Sequence, residues 1–205
     1  MKQPLGVILA GGRATRMGGG DKGLLDLRGK PILTHVIERL EPQVAGLALN
    51  ANGDTSRFAN IGLPVLADSV ADFPGPLAGV LAGLDWAAAL GAETIVTAAA
   101  DTPFFPCDLV PQLMMAAEGM EHPLALAASR DPVSGKLWRQ PTFGLWPVAL
   151  RDDLRAALQD GLRKVVMWTD RHDVALAEFP SGKFDPFFNV NTPEDLAQAR
   201  AMANE

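Results

Sequence analysis

Short apolar runs alternate with longer segments of helical spacing along most of the chain. Residues 5–10, LGVILA, form a compact apolar run bounded by glycines, the pattern of a strand buried on both faces. From Pro31, the stretch PILTHVIERLEPQ sets Ile32, Leu33, Val36, Ile37 and Leu40 on one helical face, with proline at the start where its missing N–H costs nothing. Residues 46–50 and 63–68 read as short strands, 76–90 as a second proline-opened helix, and 93–101 as another buried strand. Residues 106–120 predict a further helix, and 122–129 and 141–147 two more strands flanking a loop with Ser134 and Gly135. The last element is a helix within 189–203, with Thr192 as N-cap, Pro193 at the first helical position and Asp195 near the capping-box position.

Strands that alternate with helices imply right-handed βαβ units. The fold expected is α/β: a single three-layer αβα domain over residues 1–205, with a Rossmann-like, mostly parallel central sheet. Ligands of such sheets collect outside the carboxyl ends of the strands. Four expected ends carry residues suited to a site: Gly11 and Gly12 after the first, Asn50 after the second, Asp68 after the third and Asp101 after the fourth.

Composition narrows the function. Hydrophobic residues make up 48% of the 205 and charged residues 20%, as in an ordinary globular protein. A net charge of −6 argues against a nucleic-acid partner. No apolar stretch is long enough to span a bilayer, and a cytoplasmic location is expected. Cys107 is the one cysteine, so no disulfide forms within the chain, and it reads as a small buried or half-buried thiol. His35, His122 and His172 fall in no catalytic pattern and read as surface residues.

The stretch VILAGGRATRMGGGDKGLL, residues 7–25, is the chemical centre of the chain. The Walker A pattern fails, because Lys22 is followed by glycine and Lys30 by proline. The dinucleotide pattern fails too, because the first two glycines are adjacent. Phosphate chemistry still fits: glycines bring bare N–H groups close to an anion, and Arg13, Arg16 and Lys22 can neutralise a triphosphate.

That loop resembles the signature of the nucleotidyltransferases, and more narrowly of the molybdenum cofactor guanylyltransferase family. DSVADFPGPLAG (68–79), AADTPFFPCDL (99–109) and FNVNTPEDL (188–196) resemble the later motifs of that family, in order, so the likeness spans almost the whole chain. It implies the nucleotide-diphospho-sugar transferase type of fold, with a nucleotide-binding half over 1–110 and an acceptor half over 111–205. It implies GTP and molybdenum-bearing molybdopterin as substrates, Mg²⁺ as cofactor, and transient contact with molybdenum enzymes or other cofactor-biosynthesis proteins. Leu9, Ala10, Gly11, Gly12, Lys22, Asn50, Asp68 and Asp101 would bind the nucleotide, and residues 75–79 would border the base. Asp101, Lys22 and Arg16 would carry catalysis, with Asp101 the metal ligand. Asn189 and Asn191, two apart in an extended segment, would complete the metal shell or hold the acceptor. Ala98, Ala99 and Ala100 depart from the bulkier residues expected before Asp101, a change that should alter packing and not metal binding.

In the second half Arg130, Lys136, Arg139, Trp138, Arg163 and Lys164 supply cations and an aromatic face suited to a flat anionic pterin, or else an ordinary solvated loop. A cytidylyl relative, a sugar-phosphate nucleotidyltransferase and a nucleotide-binding module without catalysis are the competing readings.

Overall fold

A computed structural model describes residues 2–11, 21–70, 75–131 and 134–203. In chain order the elements are β1 (Leu5–Leu9), β2 (Asp26–Leu27), β3 (Lys30–Pro31), α1 (Ile32–Leu40), β4 (Leu47–Asn50), β5 (Val65–Leu66), α2 (Pro76–Ala89), β6 (Thr94–Ala99), α3 (Leu109–Ala116), β7 (Ala125–Arg130), β8 (Leu137–Pro147), α4 (Arg151–Gln159), α5 (Val165–Thr169), β9 (Ala175–Phe179) and α6 (Pro193–Met202). Among the described residues, a seven-stranded sheet runs β5-β4-β1-β6-β8-β7-β9. β8 pairs antiparallel with both β6 and β7, and the other pairings are parallel. The expected mostly parallel sheet is therefore present, with one reversed strand that joins segments from the two halves.

Helices cover both faces. Along β1, Ile8 packs into a cluster with Leu33, Val36 and Leu40 of α1 and Leu109 and Leu113 of α3. Its neighbours Val7 and Leu9 point the other way, into a cluster with Leu77, Val80 and Leu81 of α2, Leu154 of α4 and Trp168 of α5. Alternate side chains of a strand face opposite sides, so a continuously apolar run requires two covering layers. A third, small cluster of Leu27, Ile32, Val190 and Ala199 docks α6 onto the β2–β3 hairpin.

Several boundaries shift, each for a local reason. The first helix stops at Leu40 and continues as a 3₁₀ turn, Glu41–Gln43, where Pro42 cannot supply a helical N–H. α3 occupies Leu109–Ala116, shorter than the 106–120 expected, because a Pro106-to-Leu109 turn precedes it. The strand expected over 63–68 contracts to Val65–Leu66, and β8 begins at Leu137, ahead of the expected 141. The periodicity above gives no place to β2, β3, α4, α5 or β9. The β2–β3 turn holds Arg28 at φ 59° and Gly29 at φ 82°, the twist that a two-residue hairpin demands. An arginine in that position hides the signal.

Cys107 is exposed, contrary to expectation: it lies in the turn ahead of α3, where Arg39 Nη1 donates to its sulfur at 3.2 Å. His122 is exposed as expected, but His35 and His172 are half-buried. His35 Nε2 lies 2.8 Å from the Leu27 carbonyl, and His172 lies against the Trp168 ring and 2.8 Å from Asp153 Oδ1. Both imidazoles find local structural partners, which the polar surroundings in the sequence did not reveal.

Candidate functional site

The ends of β1, β4 and β6 lie side by side, and each delivers a different group. At β1 the Leu9 carbonyl accepts from Ala100 N at 3.1 Å, and Ala10 N donates to the Asn50 carbonyl at 2.9 Å. Those groups are committed to the sheet, so Leu9 and Ala10 serve as apolar lining and the exposed main chain begins at Gly11. Gly12 and Arg16 lie outside the described residues, as does Arg13.

Asn50 ends β4 and is 3% exposed. Its amide donates to the Leu66 carbonyl at 3.1 Å and to Asp68 Oδ1 at 2.9 Å. Asn52 donates to the other Asp68 oxygen at 2.7 Å, and its own Oδ1 accepts from Asp68 N at 2.9 Å. Asp68 is thus a fixed carboxylate and not a helix cap. The first turn of α2 presses on this network: a Cβ on Gly79 would lie 2.2 Å from Asn50 Oδ1 and 2.9 Å from Leu9 Cδ2. Only glycine fits.

Lys22 opens a 3₁₀ turn, Lys22–Leu24, that rests on the end of β6. A Cβ on Gly23 would meet Leu33 Cβ at 3.3 Å, the Ala100 carbonyl at 3.4 Å and Ala100 Cβ at 3.6 Å. The small residue at 100 is what allows the turn to sit there. From this seat Lys22 Nζ reaches Asp101 Oδ2 at 3.6 Å and donates to Asn191 Oδ1 at 2.5 Å. The Thr102 hydroxyl lies 3.3 Å from Asp101 Oδ1 and donates to Asn189 Oδ1. Val190 N donates to the Asp101 carbonyl at 2.9 Å, which stitches the 189–191 segment along the end of β6. Asp101, Lys22, Asn189 and Asn191 therefore form one cluster.

The NVN segment is held from its other side. Asp195 accepts from the main-chain N–H groups of both Asn191 and Thr192, and Asp195 N donates to Thr192 Oγ1, a complete capping box for α6.

Leu9, Asp21, Lys22, Phe58 and Asp101 line a small cleft. Arg57 donates to Asp21 and, at 2.8 Å, to the Asn52 carbonyl, while its guanidinium lies 4.5 Å from the Phe58 ring centre. Burial lifts the Asp101 carboxyl above its ordinary value, and the Lys22 ammonium and Thr102 hydroxyl offset part of that rise. Asp101 is thus a half-buried carboxylate whose ionised form neighbouring positive charge favours. Among the described residues no three acidic, histidine or cysteine side chains are placed to hold a metal ion together. Magnesium is content with one or two carboxylates, water and substrate phosphate, so this donor set fits it.

Asn52, Thr102 and the Arg57–Asp21 pair escaped the sequence reading. Asn52 carried a usable signal, since it stands two residues after Asn50 just as Asn191 stands two after Asn189.

Farther along the same sheet edge, Arg130 is bound to Glu178 at 2.5 and 2.7 Å and Arg139 to Asp170 at 2.5 Å. Lys136 Nζ lies 3.8 Å from the Trp138 ring centre. Arg163 belongs elsewhere: its carbonyl would lie 3.8 Å from a Cβ on Gly75, at the start of α2.

Residues 6–174 match the family described as the MobA-like NTP transferase domain. A protein of Rhodopseudomonas palustris (strain BisB5) named molybdenum cofactor guanylyltransferase is 54% identical over 200 residues, 96% of this chain and 92% of that protein. One of the same name from Nitrobacter hamburgensis is 50% identical over 201 residues, covering 97% and 93%. Among solved structures, the molybdopterin-guanine dinucleotide biosynthesis protein A of Archaeoglobus fulgidus superposes with a TM-score of 0.71, at 23% identity over 98% of both chains. A CMP:2-keto-3-deoxy-manno-octonic acid synthetase complexed with CTP also gives 0.71, at 16% identity over 99% of both chains. These two likenesses bear on the fold.

Proposed function

This chain belongs to the family of MobA-like NTP transferase domains, and on that footing we propose that it transfers the GMP unit of GTP to the terminal phosphate of molybdenum-bearing molybdopterin. The acceptor phosphate oxygen bonds to the α-phosphorus, the bond from that phosphorus to the bridging oxygen of the β-phosphate breaks, and pyrophosphate leaves with the electron pair. A phosphate monoester has its second pKa near ~6, so at neutral pH the acceptor is mostly an anion ready to attack. No side chain has to take its proton. That accords with a cleft whose charged lining is lysine and carboxylate, and with His35 and His172 committed elsewhere.

The observation that carries the reading is the convergence of Lys22, Asp101, Asn189 and Asn191 at the joined ends of β1 and β6. Lys22 supplies fixed positive charge to the phosphates, and Arg16 of the glycine-rich loop is assigned the same task. Asn50 and Asp68 hold the nucleotide through the rigid network behind Gly79. Asp101 would hold Mg²⁺, which when bound neutralises charge on the phosphates. Asn189 and Asn191 orient the acceptor phosphate against the Lys22–Asp101 pair. Catalysis of this kind comes from positioning and preorganised charge.

The test is pyrophosphate release from GTP or CTP with molybdopterin and magnesium. GTP alone should support release, and calorimetry should find GTP binding strengthened by magnesium. Turnover with CTP and none with GTP would make the protein a cytidylyl enzyme instead.

A further inference from the structure

Beyond the nucleotide cleft, a second and larger depression of about 550 Å³ opens at the carboxyl ends of β7 and β9. Its walls include Ser129, Trp138, Arg139 and Gln140 on one side and Phe184 and Asp185 on the other. We infer that this groove takes the pterin ring of the acceptor, laid against Trp138; the inference rests on the reaction proposed above.

Trp138 is 52% exposed, while Trp146 and Trp168 are fully buried. A large ring left open to water inside a concavity is a platform for a flat ligand. Lys136, 3.8 Å from the ring centre, makes a cation–π contact that orients it. Ser129 and Trp138 are directly paired across the antiparallel strands, and Gln140 lies two residues farther along the Trp138 face. Gln140 donates its amide N–H to Ser129 Oγ at 3.1 Å, which fixes the amide carbonyl as an acceptor beside the ring. A pterin edge offers an amino group and a ring N–H as donors and an oxo group as acceptor. The Gln140 amide carbonyl and the Asp185 carboxylate suit the donors.

Position supports the same assignment. The 181–185 segment is fastened by Ser181 Oγ, which donates to the Arg130 carbonyl at 2.8 Å. Phe187 then anchors the chain between Phe143 and Phe179, with ring centres 5.0 and 5.5 Å apart. Two residues later Asn189 meets Thr102 beside Asp101. Asp185 and Asn189 are four residues apart, so at most ~14 Å separates their Cα atoms. One rigid strip thus walls the groove at one end and reaches the phosphate-transfer cluster at the other, a span suited to a tricyclic pterin with a phosphate arm.

The probe is 6-carboxypterin, a fluorescent anionic pterin, titrated by anisotropy into the full chain. Trp138→Ala should weaken its binding about tenfold, in the range of lost aromatic stacking. Trp138→Phe should restore most of it, and GTP affinity by calorimetry should stay within about twofold in both variants. In turnover, Trp138→Ala should raise the KM for molybdopterin far more than it lowers kcat. Pterin binding unchanged by Trp138→Ala, or GMP displacing the pterin as readily as unlabelled pterin does, overturns the assignment. Pyrophosphate release with an unaltered acceptor KM in Trp138→Ala removes the groove and leaves the reaction standing. Pterin binding that follows Trp138 in a protein with no GTP turnover removes the reaction and leaves the groove.

Discussion

Asp101 carries two opposed demands. Its burial raises the carboxyl pKa, so the folded metal-free protein holds that proton more tightly than the unfolded chain does. The resulting stabilisation is complete below the ordinary aspartate value of 3.8 and is lost as pH climbs through the raised value. At neutral pH the ionised side chain is therefore a net cost. Asp101→Asn should melt higher than the parent at pH 7 without metal, and the gap should close on acidification. The same variant should lose on the order of 10²-fold or more in kcat. Equal melting profiles across pH would remove the electrostatic argument. Gly79 makes the complementary case. A methyl there collides with the Asn50 amide, so Gly79→Ala should cost ~1–3 kcal/mol in urea unfolding and weaken GTP binding measured by calorimetry. Asp101 and Asn50 were legible because each polar residue ends an apolar run. Asn52 and Arg57 were not, because their roles depend on a turn that brings Asp68 and Asp21 back to them.

Elements were readable where burial imposed a rhythm. β1 is apolar throughout and β6 nearly so, its two threonines buried with the rest, because both faces are covered, and the α6 cap stood out as Thr192, Pro193 and Asp195. The first half of β8 failed the same test because Trp138, Arg139 and Gln140 answer to a groove and not to a core. α4 does carry a helical spacing in Leu154, Ala157 and Leu158, diluted by the charged residues between them. The capping box does more than end a helix, since it clamps the main chain of Asn191. Thr192→Ala should cost ~1 kcal/mol of stability in a thermal melt. It should also raise the acceptor KM, because Asp195, whose carboxylate clamps Asn191 N, loses the hydroxyl that holds its own main-chain N–H; a stability loss with kinetic constants unmoved would confine the cap to folding.

For the whole molecule, the sheet holds the Lys22–Asp101 cleft and the larger groove on one edge, and each draws on separate strands. The cleft depends on β1, β4 and β6, and the groove on β7, β8 and β9. A ligand that binds only the folded state raises its stability by mass action, about 2.7 kcal/mol at a hundred times its Kd. GTP with magnesium should therefore raise the Tm, and 6-carboxypterin should add a further increment when both are present. A pterin increment abolished by saturating GTP would mean that the two compete for one place.

β8 runs against its neighbours, so it meets the ligand-bearing edge with its beginning and not its end. The larger groove therefore opens at the mouth of a hairpin, whereas the Lys22–Asp101 cleft lies at the tips of parallel strands. A hairpin mouth can gain or lose residues at little thermodynamic cost. Insertion or deletion between Arg130 and Leu137 can thus reshape the larger groove while the cleft around Lys22 and Asp101 stays untouched.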